Sequence, residues 1–128
     1  RVLPPQYSRA DVVANIQNSM LLLAAFAQGR PDLLKTSLDD RIHQPYRSPL
    51  CPLLPELQRL AGTKGVLGVA LSGAGPSVLV FLEPTASERA VKARITEHLM
   101  NAGLSAELMS TRISLKGGRD GQGWINRK

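Results

Sequence analysis

Three short clusters in this chain hold residue types that could do chemistry. They are Ser8-Arg9-Ala10-Asp11, His43-Gln44-Pro45-Tyr46-Arg47 and Ser72-Gly73-Ala74-Gly75-Pro76-Ser77. Arg9 falls in the first turn of an expected helix, where its charge adds to the positive end of the helix dipole; the pair would attract an anion. The plainer reading is a solvated arginine bonded to Asp11. In the second cluster, imidazole, amide, phenol and guanidinium occur within five residues. Arg47 could clamp a carboxylate or phosphate through two N–H groups, and His43 could serve as a neutral polar contact. The alternative is a loop stapled by its own side chains. In the third, Gly73 and Gly75 bracket an alanine, so the backbone can take positive φ and another group can approach closely. Pro76 fixes φ at the exit. No Lys-Ser/Thr follows and the loop enters a strand, which excludes the Walker and Rossmann patterns. A plain hairpin turn is the competing reading.

Other reactive groups carry less. Cys51 is the single cysteine, so no internal disulfide forms; this fits a reducing, cytoplasmic setting. It reads as a small apolar residue rather than a nucleophile. His43 and His98 are the only histidines, and no metal-ligand spacing surrounds them. No general base is assigned.

The elements that must position these clusters follow from periodicity. Residues 1–4 suggest a short strand ended by Pro4-Pro5. Ser8 caps a helix with Asp11 at the capping-box position. Val12, Ile16, Met20, Leu23 and Ala27 form the expected buried face, and Gly29 closes the helix. A second helix is expected over about 32–42. A proline-bounded, extended connector follows to about residue 54, then a third helix to Ala61. Val66–Ala70 and Val78–Leu82 read as hairpin strands. A last helix covers 86–102 with Val91, Ile95, Leu99 and Ala102 inward, and a final strand covers about 104–115 with a bulge near Leu108-Met109. Residues 116–128 form a Gly-rich basic tail, with Trp124-Ile125 as a further short strand. The order β-α-α-α-β-β-α-β gives an α+β, ferredoxin-like split β-α-β sandwich with extra helices, its antiparallel sheet covered on one face by helices.

Bulk properties bound the function. The 128 residues make one domain. The net charge of +6 invites nucleic acid, but residues 111–128 hold five Lys/Arg and one acid, which leaves four of the six charges in the tail. Aromatics make up only 4 %, too few for a base-stacking platform. Neither a nucleic-acid nor a membrane partner is expected, since no apolar run approaches spanning length. The chain opens Arg1-Val2-Leu3-Pro4-Pro5, without an initiator methionine or a secretory leader. It reads as a piece of a longer protein.

Together, the three clusters carry a resemblance. Ser-Gly-Ala-Gly-Pro-Ser between two apolar strands resembles the third conserved motif of the GHMP kinases. Leu3-Pro4…Ser8-Arg9-Ala10-Asp11-Val12-Val13-Ala14-Asn15 and Asp40-Arg41-Ile42-His43-Gln44-Pro45-Tyr46-Arg47 are similar to the homoserine branch of that family. The likeness covers residues 1–115 and only the family's C-terminal domain. Nothing corresponds to the N-terminal Pro-x-x-x-Gly-Leu-Gly-Ser-Ser-Ala phosphate loop. The resemblance implies phosphoryl transfer from ATP, with Mg²⁺, to the hydroxyl of L-homoserine, a step toward threonine. It implies that Arg9, His43 and Arg47 meet the substrate. Ser72, Gly73, Ala74, Gly75 and Pro76 would line the site against the N-terminal kinase domain, which would hold the nucleotide. This chain alone is then inactive, and apolar surface left near the site favours a homo-oligomer. The competing reading is a non-catalytic ferredoxin-like module that senses an amino acid.

Overall fold

A computed structural model describes residues 2–113. Helix α1, Arg9–Gln28, starts at Ser8, whose hydroxyl accepts the Asp11 N–H at 3.0 Å. It stops at Gly29, which takes φ +62 and returns its N–H to the last turn. A 3-10 turn at Pro31–Leu33 leads into the short helix α2, Leu34–Ser37. Next come α3, Gln44–Arg47, a 3-10 turn at Ser48–Leu50, and α4, Leu53–Gln58. Strands β1, Val66–Leu71, and β2, Val78–Leu82, pair antiparallel, and α5, Glu88–Asn101, follows from its cap at Ser87.

The hairpin and α5 build the core. A bulge between Val66 and Gly68 puts Val66 and Val69 on one face despite their odd spacing. Their partners Leu82 and Val80 join them there, with Leu71 opposite Val78. Cys51, Leu54 and Leu57 from the α4 side and Val91, Ile95 and Leu99 from α5 complete this cluster. The other face of β1 touches α2. A methyl group on Gly68 would lie 2.6 Å from Leu38 Cδ1 and 3.2 Å from the Leu34 carbonyl oxygen. Only hydrogen fits there.

The α+β class and the helical cover hold, while the sheet has two strands among the described residues. Residues 2–5 form no strand, because Pro4 and Pro5 offer no N–H to a ladder. Residues 104–113 also run without a strand partner among the described residues. Leu104 and Leu108 pack on the core while Met109 and Ile113 face out, so side-chain anchoring replaces the bulged strand. The expected tail and terminal strand of 116–128 lie outside the described residues.

Three further expectations are corrected. The second helix ends at Ser37 instead of Ile42. Asp40 interrupts it: its carboxylate accepts N–H bonds from Ile42, His43 and Gln44 at 2.8–3.0 Å, a local alternative to helix continuation. The connector is not extended. Pro45 and Pro49 each occupy the first turn of a short helix, where a missing N–H costs nothing. The inward face of α1 is also different. Ile16, Met20 and Leu23 are each about 60 % exposed, and Ala27 is exposed. Ala25 is the residue of α1 that is buried, and the flank bearing Asn15 and Asn18 docks instead. Asn15 Oδ1 accepts the Arg41 N–H at 2.9 Å, and Asn18 donates to the Asp39 carbonyl at 2.7 Å. By length and composition α1 is also apolar enough to cross a membrane, with a mean hydropathy of 1.3, contrary to the reading of its apolar run as too short. Its two asparagine bonds tie it to the domain.

Candidate functional site

The glycine loop joins β1 to β2. Gly73 takes φ +63 and Gly75 takes φ +83, so both positions need the left-handed freedom that the sequence implied. Ser72 N–H donates to the Ser77 carbonyl at 2.9 Å, and Gly75 N–H donates to the Ser72 carbonyl at 3.3 Å. Ser72, Gly73, Ala74 and Pro76 are exposed. A methyl group on Gly73 would meet nothing within 4 Å.

Arg47 reaches this loop from α3. Its Nη1 donates to the Ala74 carbonyl at 3.0 Å. Nε is buried and has no partner among the described residues. Two motif clusters that lie 27 residues apart thus meet at one guanidinium. The neighbouring Tyr46 ring stands edge-on to Tyr7, with centroids 5.9 Å apart, and this brings the segment entering α1 alongside α3. Arg9 sits exposed on the first turn of α1. Asp11 engages Ser8 through a hydroxyl–carboxylate bond, and no Arg9–Asp11 ion pair forms among the described residues. The plain reading of Arg9 as Asp11's partner is therefore not realised. His43 is half-buried, and its backbone N–H is held by Asp40.

Asp40, Gln44 and Cys51 also shape the site; the sequence placed Gln44 in the second cluster and marked Cys51 as a small apolar residue, without linking either to the glycine loop. Asp40 caps the turn into α3. Its position four residues before Gln44 was the available signal, because an Asx turn ends a helix and starts another chain direction. Gln44 is 6 % exposed, and its amide oxygen accepts the Leu71 N–H and a Gln58 N–H, each at 3.3 Å. Its amide nitrogen donates to the Leu38 carbonyl at 3.1 Å. Cys51 is buried in the core, as its small apolar character suggested, and its thiol also donates to the Pro76 carbonyl at 3.3 Å.

The chemistry available is anion binding and positioning. A guanidinium with one N–H group committed to a carbonyl keeps others for a carboxylate or phosphate oxygen. The described residues offer no metal-ligand set. No group of three or more His, Cys, Asp or Glu side chains is placed to hold a cation among the described residues. His98 Nε2 lies 3.2 Å from Glu56 Oε2 without hydrogen-bond alignment, a contact between α5 and α4 far in sequence from the clusters. Two concavities, of about 580 and 190 Å³, lie beside α4 and between α1 and α2. Neither is lined by Arg9, Arg47 or the glycine loop.

The family profile described as GHMP kinases C terminal matches residues 22–101, more than half of the chain. This chain belongs to the GHMP kinase family. Among GHMP relatives, the homoserine kinase of Deinococcus radiodurans is 42 % identical over 116 residues, which is 91 % of this chain and 38 % of that protein. The homoserine kinase of Solibacter usitatus is 54 % identical over 82 residues, or 64 % of this chain and 27 % of that one. The crystal structure of homoserine kinase from Cytophaga hutchinsonii superposes with a TM-score of 0.63 at 31 % identity, covering 80 % of this chain and 31 % of the other. The chain thus spans between about a quarter and two fifths of the length of these GHMP kinases.

Proposed function

We propose that this chain is the acceptor-side domain of a homoserine kinase, which moves the terminal phosphoryl group of MgATP to the side-chain hydroxyl of L-homoserine. The observation that carries the reading is the Arg47–Ala74 bond, which joins the arginine cluster to the GHMP glycine loop. The names of the relatives support the substrate. Phosphoryl transfer asks the protein mainly for positioning and charge neutralisation. Arg47 and Arg9 hold the substrate carboxylate or brace the transferring group, and His43 adds a polar contact. The glycine loop lines the site. The share of the work proposed for this chain is binding and orienting the acceptor, with the nucleotide and Mg²⁺ held by the remainder of the kinase.

The remainder of such a kinase needs a face to pack on. The exposed stripe of Val13, Ile16, Met20 and Leu23 begins one turn from Arg9 and supplies one. The test is steady-state kinetics of the full-length kinase that contains this chain, following ADP release with homoserine. Arg47→Ala should lower kcat/KM about ten- to hundredfold, the loss of a charge-assisted contact. Wild-type kinetics in that variant would remove Arg47 from the site. Homoserine binding to the isolated chain with full affinity, and no kinase activity in the longer protein, would favour the sensing module instead.

A further inference from the structure

Helix α3 and the connector that follows it touch the glycine loop at three points. Gln44 Oε1 accepts the N–H of Leu71, the residue entering the loop. Arg47 Nη1 donates to the carbonyl of Ala74 at its tip. Cys51 Sγ donates to the carbonyl of Pro76 at its exit. Entry, tip and exit are therefore each held by a side chain from one eight-residue stretch, in the same order along both segments. The loop's own bonds, Ser72 to Ser77 and Gly75 to Ser72, close its base and its turn. They do not fix the loop relative to the helices. Gly73 and Gly75 give it conformational freedom that only external contacts restrain.

We infer that Gln44 and Cys51 are positioning residues that, with Arg47, clamp the glycine loop in one geometry. Gln44 is the rigid member. It is buried, and both ends of its amide are engaged, to Leu71 and Gln58 on one side and Leu38 on the other. A fully engaged buried amide has one orientation, so the Leu71 N–H finds its acceptor at a fixed place. Cys51 is held by the core, with 3 % of its surface exposed. Its thiol thereby pins the end of the loop to the same wall that carries Leu54. Neither side chain needs to touch substrate. Each acts through loop shape, and for its effect on turnover the inference rests on the kinase reading above.

Two measurements separate the inference from that reading. Hydrogen exchange on this chain follows amides of residues 71–78, with α5 as the internal reference. Gln44→Met removes the acceptor at similar length, and Cys51→Ala removes the thiol. Each should speed exchange in the loop about three- to tenfold, the worth of one neutral hydrogen bond, while α5 stays protected. Cys51→Ser restores a donor and should return the loop toward wild-type protection. Unchanged loop exchange in both variants, or equal behaviour of Ser and Ala at position 51, overturns the clamp whatever the enzyme does. Should Gln44→Met lose protection throughout the chain, the Ser/Ala comparison at position 51 decides. In the full-length kinase the same variants should lower kcat about three- to tenfold and leave KM for homoserine near wild type. A rise in KM alone would make these residues substrate contacts and overturn the positioning role.

Discussion

Gly73 and Gly29 form a matched pair for asking whether the hairpin loop is more than a turn. Their φ angles are +63 and +62, and a methyl group on either would meet nothing within 4 Å. Replacement by alanine therefore imposes the same penalty at both, the cost of holding an L-residue in the left-handed region. That cost is roughly 1–2 kcal/mol. Urea unfolding of the chain should show both variants destabilised by that amount, read as a lower midpoint at constant slope. A domain starting near the low end of ordinary stability, about 5 kcal/mol, keeps about 3 kcal/mol after such a loss and remains about 99 % folded. Unfolding then explains no large kinetic effect.

Function should split the pair. Gly29 closes α1 and lies outside every candidate cluster, so Gly29→Ala should leave kcat/KM of the full-length kinase unchanged. Gly73 sits at the exposed tip of the loop beside the Ala74 carbonyl that Arg47 holds. A misplacement of about 1 Å at a reacting centre costs up to about a hundredfold. Gly73→Ala should therefore lower kcat/KM at least about tenfold. Equal kinetics in the two variants, with equal stability losses, would show that the loop only turns the chain, and the reasoning from its small residues would fail.

Other expected outcomes follow from single contacts. Gly68→Ala forces a methyl group to 2.6 Å from Leu38 Cδ1 and 3.2 Å from the Leu34 carbonyl, and should destabilise the chain by about 1–3 kcal/mol in urea titration. Glu88 is held below the ordinary value of 4.5, first by the Ser110 hydroxyl and then by Lys92. A depressed carboxyl contributes stability that is full above its unfolded value and fades as pH falls through its folded one. Glu88→Gln should accordingly lower the unfolding midpoint at neutral pH, and the gap to wild type should close in acid below about 4.5. The isolated chain should self-associate in sedimentation experiments through the exposed stripe of α1, and Ile16→Glu with Leu23→Glu should return it to a monomer without loss of helix signal.

What the sequence made legible was local. Ser8, Gly29 and the hairpin runs carry their own signals, and these elements lie where the pattern put them. The meeting of Arg47 with the glycine loop needed the family resemblance, since nothing in either segment names the other. The rest was lost where a signal was shared between outcomes. Helix α1 is apolar nearly all round, so a clean three-four spacing of Ile16, Met20 and Leu23 marks a stripe without saying what covers it. Prolines 45 and 49 read equally as extended chain or as first-turn residues, and Asp40 tips the choice through three backbone bonds. Residues 104–113 alternate poorly because they answer to the two anchors Leu104 and Leu108 rather than to a ladder.

The distribution of surface argues for a shared site. A self-sufficient sensor encloses its ligand in a cavity lined by its recognition groups. Neither of the two concavities is lined by Arg9, Arg47 or the glycine loop, although Pro45 and Gln44 of the second cluster border them. Arg9 and the loop are exposed and Arg47 is half-buried with its Nε covered, while the concavity of about 580 Å³ is bordered by Pro45, Pro49, Pro52 and Pro55 and the smaller one by Asn15, Asn18, Asp40 and Gln44. A guanidinium whose free N–H groups still meet solvent binds an anion weakly, because water screens the charge. The same groups become strong once a second wall excludes water. The apolar stripe of α1, exposed among the described residues, runs from the turn that carries Arg9, so a lobe docked on the stripe would also lie against that arginine. On the kinase reading proposed above, that coupling would make the acceptor site a product of domain assembly. It predicts that charged substitutions at Ile16 and Leu23 in the full-length kinase raise KM for homoserine, although neither residue touches substrate; an unchanged KM in a variant whose lobes have come apart would refute it.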